Sequence, residues 1–366
     1  MELGIIGLPK SGKTTVFNAL TGSKAETGDF SSHQTAPNVG VIKVPDPRLD
    51  SLTGLLKPKR TVPAEITYVD IAVPSTGLGK QEGPRGQYLS QVSNTDALVH
   101  VVRAFESDTV PHVEGSVDPE RDIATMSLEL VFSDMAVIER RLARLKDSLK
   151  GAKQQERDAA QREQVLLTRI KSGLEQDVPI REQDIPEQEA RELESFRFLT
   201  AKPLLLLLNI GEGRLPEASS LESDLRSRHG RPKQDVAVLC GQVEMELSQL
   251  GDEDAEEFRA SMGVGESGLD RMIQLSYSLL GLVSFFTTAS DEVKAWTVAE
   301  GTVIQRAAGK IHTDMERGFI RAEVIGYDDL VKCGSMAEAR KQGLLRLEGK
   351  GYIVKDGDVV TVLFNV

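Results

Sequence analysis

Residues 7–14 read Gly7-Leu8-Pro9-Lys10-Ser11-Gly12-Lys13-Thr14 and match G-x-x-x-x-G-K-[ST] at every fixed position. The pattern works only between a strand and a helix. Leu3 to Gly7 is a short apolar run that reads as the strand, and Lys13 to Leu20 reads as the helix. Glycines let the backbone wrap an anion with several N–H groups turned inward. The helix that follows presents its positive end to the same anion. This chemistry fits a nucleoside triphosphate. Lys13 would reach the β- and γ-phosphates as a catalytic group, and the Thr14 hydroxyl would ligate Mg²⁺. The expected phosphate-binding set is Gly7, Lys10, Ser11, Gly12, Lys13, Thr14 and Thr15.

The surrounding pattern is that of an α/β protein. Val39–Val44, Ala64–Ala72 and Ala97–Ala104 read as further strands, the last apolar enough to be buried on both faces. From Pro119 to about Leu199 glycine and β-branched residues thin out. Met126, Leu130, Ser133, Val137, Arg140, Arg141, Leu145 and Leu149 trace a helical period. Gly151-Ala152-Lys153 reads as a turn and Gln155–Gly173 as a second helix, giving an inserted coiled-coil-like hairpin. Strands then resume at Leu204–Leu208 and Asp235–Cys240. In the last 85 residues, glycines punctuate short strands. Lys355-Asp356-Gly357-Asp358, between Tyr352–Val354 and Val359–Phe364, carries a hairpin signal. The expected division is a nucleotide-binding domain over residues 1–118 and 200–280, a helical insertion over 119–199, and a mixed α+β domain over 281–366.

Charge and composition narrow the function classes. A net charge of −12 argues against non-specific coating of nucleic acid, and no motif for sequence-specific DNA binding is present. Yet Glu139 to Lys171 holds ten Lys/Arg against five Asp/Glu, a basic arm on an acidic body. No apolar run approaches the roughly 20 residues of a membrane span. The N-terminus lacks a basic signal region, so a cytoplasmic protein is expected, with no membrane partner. Cys240 and Cys333 are too few and too far apart for a four-ligand metal site.

Two further sites follow from position. Asp70 ends the strand Ile66–Asp70, where a carboxylate can hold Mg²⁺ through water. Asn209-Ile210-Gly211-Glu212 follows the apolar strand Leu204–Leu208. The comparable loop of GTP-binding proteins reads N-K-x-D, with the Asp accepting from guanine N1 and N2. Here Glu212 is one methylene longer and Ile210 replaces the lysine that packs on the base. Guanine selectivity is expected to weaken, and adenine becomes the better candidate.

On these motifs the whole chain resembles the YchF/Obg-like ATPase family. The family's G-L-P-N-V-G-K-S stands as Gly7–Thr14, and its T-x-x-P-N-x-G and V-P-D-P-R-L as Thr35–Gly40 and Val44–Leu49. Its D-A-x-V-H-V-V-R-x-F stands as Asp96–Phe105 and its N-x-x-E as Asn209–Glu212. Its C-terminal signature stands as Glu292–Thr297 and Ala308–Val324. The resemblance implies a P-loop G domain that prefers ATP over GTP, a coiled-coil insertion and a C-terminal TGS domain of β-grasp fold. It implies slow Mg²⁺-dependent ATP hydrolysis and association with the ribosome, through its large subunit, as a monomer. It makes Thr35 a second Mg²⁺ ligand, lays the Ile210 backbone against the adenine, and makes His112 a loop histidine that positions the attacking water.

Two departures stand out. The family's D-I-A-G-L reads Asp70-Ile71-Ala72-Val73-Pro74, so the glycine expected to sense the γ-phosphate is Val73. Lys10 stands where the family has Asn, and its ammonium could replace a K⁺ ion beside the phosphates. Val73 keeps a nucleotide-gated ribosome adaptor with little hydrolysis open as an alternative. A GTPase of relaxed base specificity is the other.

Overall fold

The computed structural model describes residues 1–22, 37–71, 84–148, 153–262, 267–289 and 291–365. Thr35, Val73 and Pro74, and the expected turn residues Gly151 and Ala152, lie outside them. In chain order the strands are β1 (Glu2–Ile6), β2 (Asn38–Lys43), β3 (Arg60–Val62), β4 (Glu65–Asp70), β5 (Ala97–Ala104), β6 (Leu204–Ile210), β7 (Gln234–Leu239), β8 (Leu282–Ala289), β9 (Glu292–Ala299), β10 (Phe319–Gly326), β11 (Arg346–Glu348) and β12 (Asp358–Phe364). The helices that matter below are α1 (Lys13–Thr21), α2 (Pro84–Asn94), α3 (Pro119–Ser148), α4 (Gln154–Leu174), α5 (Ala218–His229) and α6 (Gly241–Leu247). Two compact units result, Met1–Gly40 with Thr67–Arg271, and Val41–Ile66 with Met272–Val366.

The first unit is a P-loop nucleotide-binding fold. Its sheet has the order β2-β4-β1-β5-β6-β7, and β4, β1, β5, β6 and β7 run parallel. β5 and β6 are buried along their full length, as their nearly continuous apolar runs suggest, and His100, Arg103 and Asn209 are buried with them. Their register sets Arg103 against Asn209 at the carboxyl end, where parallel sheets bind ligands.

The 30-residue helix α3 serves two cores. Ile123, Met126 and Leu130 pack under the parallel sheet with Val92 of α2. Val131, Ile138 and Leu145 instead join Leu166, Leu167, Ile170 and Leu174 of α4 in a separate core. Ion pairs lace the outside of this antiparallel hairpin: Arg141 grips Glu163 through two bonds of 2.6 and 2.8 Å, and Lys171 reaches Glu139 at 2.8 Å.

The second unit is the β-grasp. Its sheet has the order β11-β10-β12-β8-β9-β3. The core gathers Phe285, Val298, Ala322, Val324 and Val360 beneath Ile304, Ala307 and Ala308 of the helix Ile304–Ile311. The hairpin expected around Lys355–Asp358 is not formed. β12 is antiparallel to β10 on one side and parallel to β8 on the other, so neither edge is free for Tyr352–Val354. The Asp358 carboxylate folds the turn on itself, accepting from Lys355 N at 2.9 Å and Tyr352 Oη at 2.8 Å. Val354 N then bonds Thr302 O and Ile304 N bonds Tyr352 O. The Val-Pro-Asp-Pro-Arg-Leu segment also finds its physical reason here. Arg48 lies over the Phe286 ring and bonds both Asp46 and Asp356, and those two carboxylates raise its pKa.

Candidate functional site

The phosphate loop joins β1 to α1 through three residues at positive φ: Gly7 at 150°, Lys10 at 66° and Gly12 at 92°. Two of the three must be glycine for reasons of space as well. A Cβ on Gly7 would lie 2.4 Å from Val101 O, and one on Gly12 would lie 2.2 Å from Asn209 Nδ2. Lys10 holds a left-handed conformation that Asn tolerates better than Lys, which accounts for the residue the family carries there. Ser11 Oγ is buried and, among the described residues, has no hydrogen-bond partner, as befits a group in a cradle built for a polar ligand. Thr15 lies half-buried in the first turn of α1.

Lys13 is buried and its ammonium donates to Gly7 O at 3.0 Å and Leu8 O at 2.8 Å. Desolvation lowers its pKa to about 8, against the opposing pull of the Asp70 charge. Only the charged form pairs with phosphate. ATP affinity should therefore hold below pH 8 and fall above it, by about tenfold between pH 7 and 9 for a free-protein midpoint near 8. Calorimetry at the two pH values checks this, with Lys13→Met expected to bind weakly and without the slope. A flat wild-type affinity would count against a phosphate-pairing Lys13.

Thr14 and Asp70 come together as expected. Thr14 Oγ1 donates to Asp70 Oδ2 at 3.0 Å, and Asn38 Nδ2 stands 3.5 Å from the same oxygen. A buried Asp70 carboxylate beside the partly exposed Thr14 hydroxyl, on the far side of the loop from β5, fits Mg²⁺, which takes a carboxylate, a hydroxyl and phosphate oxygens rather than an all-protein cage. Among the described residues no group of three or more His, Cys, Asp or Glu could hold a metal alone.

Asn209 serves the site differently from the expectation. Its Nδ2 donates to Ser11 O at 3.1 Å and its Oδ1 accepts from Gly241 N at 2.9 Å. It is a strut that ties the phosphate loop to β6 and to the start of α6. Ile210 is buried in the sheet core, so its side chain is not available to a base. Glu212 is exposed at the start of the 3-10 turn Glu212–Glu217, free to reach an exocyclic amine. Cys240, at the N-cap of α6, is buried, and desolvation raises its thiol pKa.

His112 is not gathered at the loop. Its Nδ1 accepts from Glu114 N at 3.1 Å, so the ring proton sits on Nε2, 2.9 Å from Asp122 Oδ2. Arg121 holds the other Asp122 oxygen at 2.9 Å. Both nitrogens of the imidazole are spent, with His112 and Asp122 side chains only 4% and 3% exposed. Asp122, Gly241 and Arg103 are residues of this region that sequence reasoning did not single out. The signal for Gly241 was legible, since Cys240-Gly241 follows the last apolar strand just as Gly211 follows the preceding one.

Comparison with known proteins agrees with this geometry. A family model described as a 50S ribosome-binding GTPase matches residues 2–138, and the YchF GTPase C-terminal model, described as a protein of unknown function, matches residues 282–365. The ribosome-binding ATPase YchF of Bacillus subtilis is 42% identical over 368 residues, covering 100% of both chains. That of Haemophilus influenzae is 40% identical, covering 100% of this chain and 99% of its own. The solved structure of the Schizosaccharomyces pombe YchF GTPase superposes with a TM-score of 0.86 at 32% identity, over 99% of this chain and 97% of that one.

Proposed function

The chain belongs to the YchF family, and from that premise we propose that it is a slow Mg²⁺-dependent ATPase whose nucleotide state governs its association with the ribosome. The observation that carries the enzymatic half is the meeting of Thr14 with the buried Lys13 and Asp70 beneath a glycine-lined loop. Thr14 and Asp70 would hold the Mg²⁺ together with Thr35. A bound Mg²⁺ would supply positive charge against that of the phosphates. Lys13 exchanges two loop carbonyls for the phosphates, and the loop N–H groups orient the chain of phosphoryls. His112 would have to leave Asp122 before it could orient a water, which supports slow turnover. The same pairing favours a second reading, a nucleotide-gated ribosome adaptor with little hydrolysis.

Base choice in this reading rests on Glu212, whose carboxylate accepts from the adenine N6 amine and cannot satisfy guanine as the shorter Asp does. GTP is the weaker ligand. The protein acts in the cytoplasm as a monomer, with 119–199 as an insertion in the nucleotide domain and 281–366 as the TGS domain; residues 41–66, expected in the nucleotide domain over 1–118 and 200–280, group with the C-terminal unit instead. Among the described residues no helix is long and apolar enough to cross a membrane.

The ribosome-facing surface is proposed to be the basic groove of the helical insertion. A cavity of about 750 Å³ between α3 and α4 is lined by Arg140, Arg141, Arg144 and Arg162. Arg141 is spent on Glu163, whereas Arg144 and Arg162 have no ion-pair partner among the described residues. Lys146, Lys153 and Arg157 extend the charge, and Lys150 lies outside the described residues. The test is co-sedimentation with ribosomes at rising salt. Binding should weaken with salt, because each neutralised phosphate releases counterions. Charge reversal at Arg140, Arg144 and Arg162 should cost at least tenfold in affinity, and unchanged sedimentation would rule the groove out.

A further inference from the structure

Among the described residues Arg103 is the largest fully buried side chain, 1% exposed, and it makes no salt bridge. Glu106 and Asp122 act on it only through space, and a buried cation that no carboxylate grips is costly unless hydrogen bonds compensate it. Its planar fork donates to three backbone carbonyls, two on the segment after β5 and one on the phosphate loop: Nε to Phe105 O at 3.1 Å, Nη2 to Val110 O at 2.7 Å and Nη1 to Lys10 O at 3.3 Å. The guanidinium carbon sits 4.5 Å from the centre of the Phe105 ring. That ring is in turn wedged beside the phosphate and base loops. A Cβ on Gly12 would lie 3.7 Å from Phe105 Cε1, and one on Gly211 would lie 3.6 Å from Phe105 Cβ.

The geometry points to Arg103 as a positioning residue that couples the phosphate loop to the segment carrying His112. It acts through two backbone carbonyls and touches no substrate. The Lys10 carbonyl belongs to the left-handed residue of the loop, and the next amide, Ser11 N, is held on Leu8 O at 3.3 Å. One peptide plane is thus fixed at both edges. When the loop adjusts to phosphate, the Lys10 carbonyl moves and the rigid fork carries the displacement to Val110, two residues before His112. Val110 is also tied into its own turn, since its N–H donates to Ser107 Oγ at 3.2 Å, so it moves as a unit with that turn. A lysine at 103 would keep the charge but lose the fork, because one ammonium cannot span three diverging carbonyls.

This inference rests on nucleotide binding at the loop, and hydrogen exchange separates the two. In the wild-type protein an ATP analogue that cannot be hydrolysed, with Mg²⁺, should slow amide exchange over residues 7–15 and alter it over 106–116. Arg103→Lys should keep the slowing at 7–15 and lose at least two-thirds of the change at 106–116, with kcat reduced at least tenfold and KM within threefold. A purely structural arginine would instead lower both responses together through loss of fold. Should Arg103→Lys fail to fold, Phe105→Leu takes its place. It leaves the three hydrogen bonds but removes the ring that fixes the guanidinium plane, and it should at least halve the response at 106–116. A full response at 106–116 in whichever variant folds, or none there in the wild type while 7–15 is slowed, overturns the coupling. No slowing at 7–15 in the wild type sinks the nucleotide reading and the coupling with it.

Discussion

Gly12→Ala is expected to weaken ATP binding at least a hundredfold while leaving a folded protein. Gly12 has φ 92°, where an alanine is strained by about 1–3 kcal/mol. Its new Cβ would also meet Asn209 Nδ2 at 2.2 Å, well inside contact. Asn209 cannot retreat cheaply, because its two amide ends hold Ser11 O and Gly241 N, and a buried group left unpaired costs about 1–3 kcal/mol. The loop must therefore give way, and with it the directions of its N–H groups. A hundredfold loss corresponds to about 2.7 kcal/mol, within the sum of these two costs. Titration calorimetry with ATP and Mg²⁺ measures it. Affinity within threefold of wild type would mean that the loop does not close on phosphate in the way its glycines suggest.

Asp70→Asn should lower Mg²⁺-dependent ATP hydrolysis by at least a hundredfold, about 2.7 kcal/mol of activation free energy. The substitution is isosteric and keeps an acceptor for Thr14 Oγ1, so the fold should survive, but the negative charge that would hold the metal is gone. A second consequence follows from Lys13. Desolvation pulls the Lys13 pKa down, and the Asp70 charge holds it up. Removing it should move the pH midpoint of ATP binding below 8, so that affinity begins to fall at a lower pH than in the wild type. Hydrolysis at the wild-type rate with an unchanged Mg²⁺ midpoint would remove Asp70 from the metal site.

Much of this site is local in sequence and could be read there. Gly7, Gly12, Lys13 and Thr14 lie within eight residues, and Asp70 ends a strand whose neighbour in the sheet is β1. The strand Ala97–Ala104 has the limits its nearly continuous apolar run suggests, because a strand buried on both faces carries apolar side chains almost throughout. What the sequence leaves out depends on distant partners. Asn209 reads as a base-contacting residue until Ser11 and Gly241, 198 and 32 residues away, are brought to its two ends. His112 reads as a loop residue until Asp122 of α3 folds back on it. The Tyr352–Phe364 hairpin signal is strong locally, but β10 and β8 occupy both edges of β12 first. Likewise Arg60–Val62 pairs with Glu292–Lys294, more than 200 residues on, which no local pattern announces.

The central claim is that this phosphate loop hydrolyses ATP in preference to GTP. Single-turnover hydrolysis of the purified chain, with ATP and GTP side by side in Mg²⁺, tests it directly, and Glu212→Asp provides the control for base choice. The account predicts slow hydrolysis of ATP, slower hydrolysis and weaker binding of GTP, and a shift toward GTP in Glu212→Asp. A wild-type affinity for GTP tenfold above that for ATP, about 1.4 kcal/mol in the wrong direction, or the absence of Mg²⁺-dependent turnover with either nucleotide, would contradict it.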